Sequence, residues 1–266
     1  MKLNKKVIIV TGGAGFLGSV FCDLIIKFGG NPIILDNNQL LLNQELKRIK
    51  KKYKKNILGF CVDISNEKEI NETKIKILKK YKKIDALVNN AALNPDVDFL
   101  KKNDCSLEEY PMDFFQKEFD VGIKGALICT KIFGKYFSQK KNGNIINISS
   151  DLGIIAPTQH IYENKKNKKK QVKPVSYSII KSGIIGLTRY TSTYWATKNV
   201  RCNAIAPGGI FNFQDKNFLK KVSELIPMKR LGKKEEVAHL LIFLLSDFSS
   251  YINGAVISVD GGRTAW

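Results

Sequence analysis

Directly after the apolar run Val7–Val10 the chain reads Thr11-Gly12-Gly13-Ala14-Gly15-Phe16-Leu17-Gly18 and then turns amphipathic. Glycines at this spacing let the backbone turn tightly and come close to whatever lies beside it. The N–H groups that open the following helix have no acceptor within the helix, so the turn is suited to an anion such as a pyrophosphate. A glycine cluster alone marks only a turn. Between a buried strand and a helix it constrains the fold to a strand–turn–helix unit of the dinucleotide-binding kind.

The rest of the chain keeps to that pattern. Short runs at Val7–Val10, Pro32–Leu35, Ile57–Val62, Ile84–Val88, Asn144–Ile148, Val200–Ala206 and Val256–Val259 are rich in Val and Ile and lack polar alternation, which reads as parallel strands buried on both faces. Amphipathic stretches near 17–28, 40–53, 66–82, 112–138, 176–197, 215–225 and 233–246 read as the intervening helices. The expectation is an α/β fold, a Rossmann-like doubly wound parallel sheet with helices on both faces, in a single domain spanning 1–266. One segment breaks the pattern: 157–174, PTQHIYENKKNKKKQVKP, is bracketed by prolines and has no apolar period. It reads as a solvated excursion or as a flap over a site, given the residues on either side.

Composition narrows the function. The net charge is +20, yet 39 of the 44 basic residues are lysine and the chain is also crowded with Ile and Asn, residues that share A/T-rich codons. The lysines are spread over many segments without the arginine forks or aromatic platforms of nucleic-acid readers, so no nucleic-acid partner is expected. The charge remains compatible with an anionic small substrate. Five scattered cysteines, an odd number with no CxxC pair, read as reduced thiols of a cytoplasmic protein, and two histidines exclude a multi-histidine metal centre. The apolar run at the N-terminus is too short for a signal peptide or a membrane span.

Three further features carry chemistry. Strand two ends in Asp36, 18 residues beyond Gly18, where a carboxylate can accept from both ribose hydroxyls and repel a 2′-phosphate; this favours NAD over NADP. The same carboxylate could instead cap the next helix. Tyr177-Ser178-Ile179-Ile180-Lys181 places a phenol and an ammonium four apart on one helix face, where the cation would lower the phenol pKa toward use as a general base. Upstream, the strand Asn144–Ile148 ends in Ser149-Ser150, at the sheet edge where α/β folds place ligands.

Taken together these motifs closely resemble the short-chain dehydrogenase/reductase family over nearly the whole chain. Alongside the glycine loop, NISS and YSIIK stand Asp63 in CVDIS, Asn89-Asn90-Ala91-Ala92, Arg201–Gly208 (RCNAIAPG) and Val259-Asp260-Gly261-Gly262, each in family order. The resemblance implies a hydride-transferring oxidoreductase with Ser150, Tyr177 and Lys181 as catalytic residues. Tyr177 would be the acid/base, Lys181 would hold the nicotinamide ribose and lower the Tyr177 pKa, and Ser150 would hydrogen-bond the reacting oxygen. Cofactor contacts are implied for Gly12, Gly15, Phe16, Leu17, Gly18, Asp36, Asp63, Ile64, Asn90, Ala91, Tyr177, Lys181, Pro207, Gly208 and Ile210. A homodimer or homotetramer built through the helices near 112–138 and 176–197 is also implied.

The chain departs from the family pattern in three places. Phe16 stands where the compact branch has glycine, and the spacing TGxxGxxG is that of the extended branch. Gly122, in Asp120–Gly125, stands where the family has the asparagine that anchors a proton-relay water. The 27 residues from Ser150 to Tyr177 are about twice the usual gap, the excess being the lysine-rich loop at 157–174. Gly122 motivates a rival reading, a catalytically impaired dinucleotide-binding sensor or assembly protein. Around the insertion, SDLG, QHIY, KPVSY, TYW and the Gly261-Gly262-Arg263 end are similar to flagellin-modification-type members linked to legionaminic-acid-like surface sugars. That similarity implies a sugar or sugar phosphate as substrate, with His160 as a possible contact.

Overall fold

The computed structural model describes residues 1–93, 105–162 and 172–266. Seven strands form one sheet: β1 (Val7–Thr11), β2 (Asn31–Asp36), β3 (Leu58–Cys61), β4 (Ala86–Asn89), β5 (Gly143–Ile148), β6 (Val200–Pro207) and β7 (Val256–Val259). Every pairing is parallel, in the order β3-β2-β1-β4-β5-β6-β7. All seven expected strands are present, with ends moved by no more than two residues. Alternate side chains of β1 show why they lack polar residues. Ile8 and Val10 join a core with Phe21, Ile25, Val237 and Leu241 on one face. Val7 and Ile9 join Ile70, Ile77, Phe133 and Phe137 on the other. A strand with apolar neighbours on both sides has no position left for a polar alternate.

The helices of the described residues are α1 (Gly18–Lys27), α2 (Gln39–Tyr53), α3 (Glu67–Tyr81), α4 (Met112–Phe119), α5 (Ala126–Lys140), α6 (Val175–Tyr194), α7 (Lys216–Glu224) and α8 (Lys234–Leu245). The stretch expected as one helix over 112–138 is divided: a π-helical turn at Asp120–Gly125 separates α4 from α5. Gly122 and Gly125 are buried there. A Cβ at Gly122 would lie 2.6 Å from Ile180, and one at Gly125 2.6 Å from Ile64, so the widened turn fits closely against two neighbours. A buried amide ladder ties the central strands to the helices. Asn89 Nδ2 donates to Thr130 Oγ1 (3.0 Å) and Asn147 Oδ1 (2.8 Å), and Asn147 Nδ2 donates to Thr188 Oγ1 (2.8 Å).

After β3 the chain crosses to the other side of β1 to begin β4, so the loops leaving β1 and β4 diverge and open a crevice at the strand C-termini. Half of the lysine-rich insertion, 163–171, lies outside the described residues. Its leading flank, Gln159–Tyr162, is a 3₁₀ turn whose Ile161 packs with Val222, Ile226 and Leu231 in a small separate cluster.

Candidate active site

One cleft of about 820 Å³ runs along that crevice, a size suited to small-molecule ligands. Its first half is built largely from backbone. Gly12 takes φ +60°, and a Cβ there would sit 2.9 Å from the Ala91 Cα, so only glycine lets the loop after β1 close against the segment after β4. Thr11 Oγ1 accepts from the N–H groups of Asn90 and Ala91 (3.0 Å each), and Asn90 Nδ2 donates to the carbonyls of Thr11 (2.9 Å) and Gly12 (3.1 Å). Asn90 thus works here as a staple between two loops. Helix α1 has no side-chain cap at Leu17 and no acidic residue in its first turn, which leaves its N-terminal N–H groups and partial positive charge to an anion.

Asp36 closes this half. Its carboxylate is buried and accepts from the N–H of Ala14 (Oδ2, 3.1 Å) and of Asn38 (Oδ1, 3.1 Å). Each oxygen keeps a lone pair for a further donor. The alternative of Asp36 as a helix cap is not what forms; Asn38 caps α2, its side chain accepting from Leu41 N (3.0 Å). Asp63 and Ile64 line the same half, with Asn37, Asn38, Leu41 and Val62, which the sequence reading passed over. No lysine or arginine is among the described residues that wall it; the cations of the cleft are Lys173, Lys181 and Arg263, all at its other half.

Gly15, Phe16 and Leu17 also line the cleft, as do Pro207, Gly208 and Ile210. Gly18 is not among the residues that line it. It is buried, and a Cβ there would come within 2.1 Å of the Gly12 carbonyl oxygen. Its smallness lets the helix start pack onto the turn. Phe16, at the position of the glycine of the compact branch, is partly exposed, with the Lys234 ammonium over its ring at 4.8 Å.

The second half is built from side chains. Ser150, at the end of β5, is buried and donates to Asp151 Oδ1 (2.7 Å). Lys181 is buried on α6 and donates to the Ile148 carbonyl (2.9 Å), its ammonium 5.7 Å from the Tyr177 ring centre. A second ammonium, that of Lys173, lies 3.8 Å from the same ring centre. Arg263, 112 residues from Asp151 in sequence, reaches back from the C-terminal segment to pair with it, Nη1 to Oδ2 at 3.1 Å, both side chains buried.

The electrostatics of this half differ from the expectation in one respect. The Tyr177 phenol is held above its ordinary pKa, because burial disfavours the phenolate and the Asp151 charge adds to the rise; a hydrogen bond with Ser150 works the other way. The ammonium of Lys181 does not overcome burial at this distance. Burial and the neighbouring Lys173 charge instead push Lys181 itself down to about 8. Lys173 is also pushed down to about 8 by burial, against the opposing pull of Asp151 and Glu118. Tyr162, beside the ion pair, is raised to about 12, chiefly by burial.

Among the remaining sequence candidates, His160 is exposed and does not line the cleft. Cys129 and Cys202 are buried in the core with raised pKa values, and Trp195 packs over Gly134, consistent with packing roles. Among the described residues no group of His, Cys, Asp and Glu is placed to hold a metal ion, and no helix is long and apolar enough to cross a membrane. Asp151, Lys173 and Arg263 fall in the SDLG, KPVSY and Gly261-Gly262-Arg263 stretches noted above, but sequence reading did not single them out as site residues, because it is the fold that brings the three side chains together.

A glycine cradle at a topological switch point, joined in one cleft to a serine, a tyrosine and a lysine, defines a dinucleotide-binding α/β protein with acid/base groups at hand. The family model described as enoyl-(acyl carrier protein) reductase matches residues 17–264, and the chain belongs to the short-chain dehydrogenase/reductase family of oxidoreductases. It is 30% identical over 261 residues to post-translational flagellin modification protein A of Campylobacter coli, covering 98% of each chain. It is likewise 30% identical over 268 residues to an NAD-dependent glycerol dehydrogenase of Listeria innocua, covering 98% of this chain and 95% of that one. The solved structure of ElxO with NADP bound superposes with a TM-score of 0.83 at 26% identity, over 98% of this chain and all of that one. The cofactor is therefore a nicotinamide dinucleotide, and the residues present fit it: the Gly12 cradle, the uncapped start of α1 and the Asp36 carboxylate.

Proposed function

We propose that the protein is a cytoplasmic, homo-oligomeric, NAD-dependent dehydrogenase/reductase that interconverts a secondary alcohol and a ketone on a sugar or sugar phosphate, in the making of a surface glycan. The observation that carries the chemistry is the convergence of Ser150, Tyr177 and Lys181 in the cleft that also holds the glycine cradle and Asp36. For the sugar, support comes from likeness to a flagellin modification protein and to a glycerol dehydrogenase, whose substrate is a polyol. For NAD, support comes from Asp36 at the end of β2 and from the lack of a cation among the described residues around it.

A bound nicotinamide supplies the acceptor for two electrons and a proton together, as hydride from the carbinol carbon. In oxidation Tyr177, as phenolate, takes the hydroxyl proton while the C–O bond becomes C=O. Ser150 turns its hydroxyl from Asp151 to the reacting oxygen and holds it. Lys181, four residues from Tyr177 and beside its ring, would hold the cofactor ribose and carries positive charge toward the phenolate. Reduction runs the same proton transfer in reverse.

Calorimetric titration of NAD and of NADP into wild type and Asp36→Ala tests the cofactor assignment. NAD should bind at least about tenfold more tightly than NADP, a gap of about 1.4 kcal/mol, and the gap should narrow in the variant. NADH production from a panel of polyols and sugar phosphates tests the reaction. Tight NAD binding with no turnover of any panel member would favour the rival sensor reading that Gly122 motivates.

A further inference from the structure

We propose that Arg263 and Lys173 form an anion subsite at the substrate end of the cleft, which receives a carboxylate or phosphate carried by the substrate. This rests on the dehydrogenase reading and names the substrate class it takes. The first observation is the Arg263 guanidinium. Its side chain is only 5% exposed, and one arm, Nη1, is held by Asp151. The other, Nη2, is buried without a hydrogen-bond partner among the described residues. Buried donors on charged groups are nearly always satisfied, because an orphaned one forfeits its hydration with no return. Arg263 forms part of the cleft wall, so an acceptor delivered by a ligand would complete the fork. A guanidinium with one arm anchored and one free is well set for such an oxygen.

The second observation is the charge balance around the Tyr177 phenol. Among the described residues, Lys173, Lys181 and Arg263 bring three cations to this half of the cleft, against the single carboxylate of Asp151 in its walls. Asp151 is already occupied, by Arg263 on Oδ2 and by Ser150 and the Leu152 N–H on Oδ1. Glu118, the other carboxylate felt by Lys173, accepts from Tyr110 OH at 2.6 Å. Lys181 has its cofactor role, whereas Lys173 and the free arm of Arg263 have none in the proton or hydride transfer. An anion entering between them would relieve the repulsion of the two ammonium groups and satisfy Nη2 in one step.

The probes are D-glucitol, its 6-phosphate and D-gluconate, three similar polyol chains of which the first is uncharged. Binding of each to the NAD-loaded protein is followed by calorimetry for wild type, Arg263→Lys and Lys173→Gln. Arg263→Lys keeps the charge that Asp151 needs and removes only the second arm. At least one anion should bind about tenfold or more tightly than glucitol to wild type, and each variant should reduce that preference about tenfold while glucitol affinity and the melting temperature hold. The stronger of the two anions separates phosphate from carboxylate. Equal binding of all three probes to wild type, or an undiminished preference in both variants, overturns the subsite. If the anion preference is present and disappears in the variants while no probe is oxidised, the subsite stands and the dehydrogenase reading of these substrates falls. If glucitol is oxidised without anion preference, the reverse holds.

Discussion

The two halves of the cleft are made in different ways. The half bounded by Gly12, Asp36 and Asn90 is backbone held by backbone. The loop after β1 hydrogen-bonds to β2 and to the segment after β4, and the Asp36 carboxylate built into this half is spent partly on loop N–H groups. The half bounded by Ser150, Tyr177 and Arg263 is made of side chains from β5, α6, the insertion flank and the C-terminal segment, and its charges face one another. The first half is a shape that any member of such a fold needs in order to bind a dinucleotide. The second is set by side chains that meet from separate segments, and on the proposal above it is the half that receives the substrate.

The sharpest way to break this division is Tyr177→Phe. The change removes one hydroxyl from the side-chain half, and turnover should fall by about 10²–10⁴-fold, the range for loss of a positioned acid/base. Dinucleotide affinity, measured by calorimetry, should stay within a few-fold. Comparable turnover in this variant would remove Tyr177 from the reaction.

The reverse substitution is Gly18→Ala. Its Cβ would meet the Gly12 carbonyl oxygen at 2.1 Å, a methyl group against backbone, with no flexible side chain to give way. A loss of about 1–3 kcal/mol is expected for such overpacking, seen as a melting temperature lower by several degrees, together with weaker dinucleotide binding. A variant that melts like wild type would show that the turn can shift, and that this half is less rigid than its hydrogen bonds imply.

These two positions also show what was legible in the sequence. Val7–Val10 and the glycines that follow are local: strand, turn and helix start lie within a dozen residues, so spacing alone placed them. The Asp151–Arg263 pair joins residues 112 apart, and no periodicity announces it. The π turn at Asp120–Gly125 was read as plain helix because its apolar spacing continues through it. The close approach of Ile180 to Gly122 and of Ile64 to Gly125, which leaves no room for a Cβ at either position, is a tertiary feature that the spacing does not carry. The direction of the Tyr177 shift was misread for a related reason. The i, i+4 spacing gave the neighbour, Lys181, but burial depends on everything packed around the ring.

Lys181→Met sharpens the comparison through pH. The Lys181 ammonium is depressed from 10.5 to about 8 in the folded protein, so below pH 8 the folded state carries a buried charge that the unfolded chain carries more cheaply. The penalty is of order 1–3 kcal/mol, at about 1.4 kcal/mol for each unit of depression, less what the Ile148 carbonyl loses with its donor. Between pH 8 and 10.5 the unfolded chain binds more protons than the folded one, so wild-type stability rises with pH. The variant should therefore melt a few degrees higher than wild type below pH 8, and the advantage should shrink toward pH 10.5. An advantage that is flat across this window would mean that the lysine is not depressed. No such pH-dependent gain is available in the backbone-built half, whose walls among the described residues hold no cation.

The smallest expected effect contrasts two helix caps, one at each half. Asn38 caps α2, which packs into the main core through Leu42 and Ile49. Asp215 caps α7, accepting from the N–H groups of Asn217 and Phe218 at 3.0 Å each. Helix α7 packs through Val222 into a cluster of four buried residues with Ile161, Ile226 and Leu231. Removing either cap should weaken its helix by about 1 kcal/mol. In α2 that loss is shared by the whole cooperative unit, so Asn38→Ala should lower the global melting temperature by about 2–4 °C. In α7 it should appear as local opening: Asp215→Ala should leave the melting temperature nearly unchanged while amide exchange over Lys216–Glu224 accelerates about fivefold. Because Phe218 and Val222 line the side-chain half, that opening would also loosen substrate binding, with NAD affinity unaffected. Equal falls in melting temperature for both variants would mean that α7 unfolds with the sheet and that the two halves are one cooperative structure.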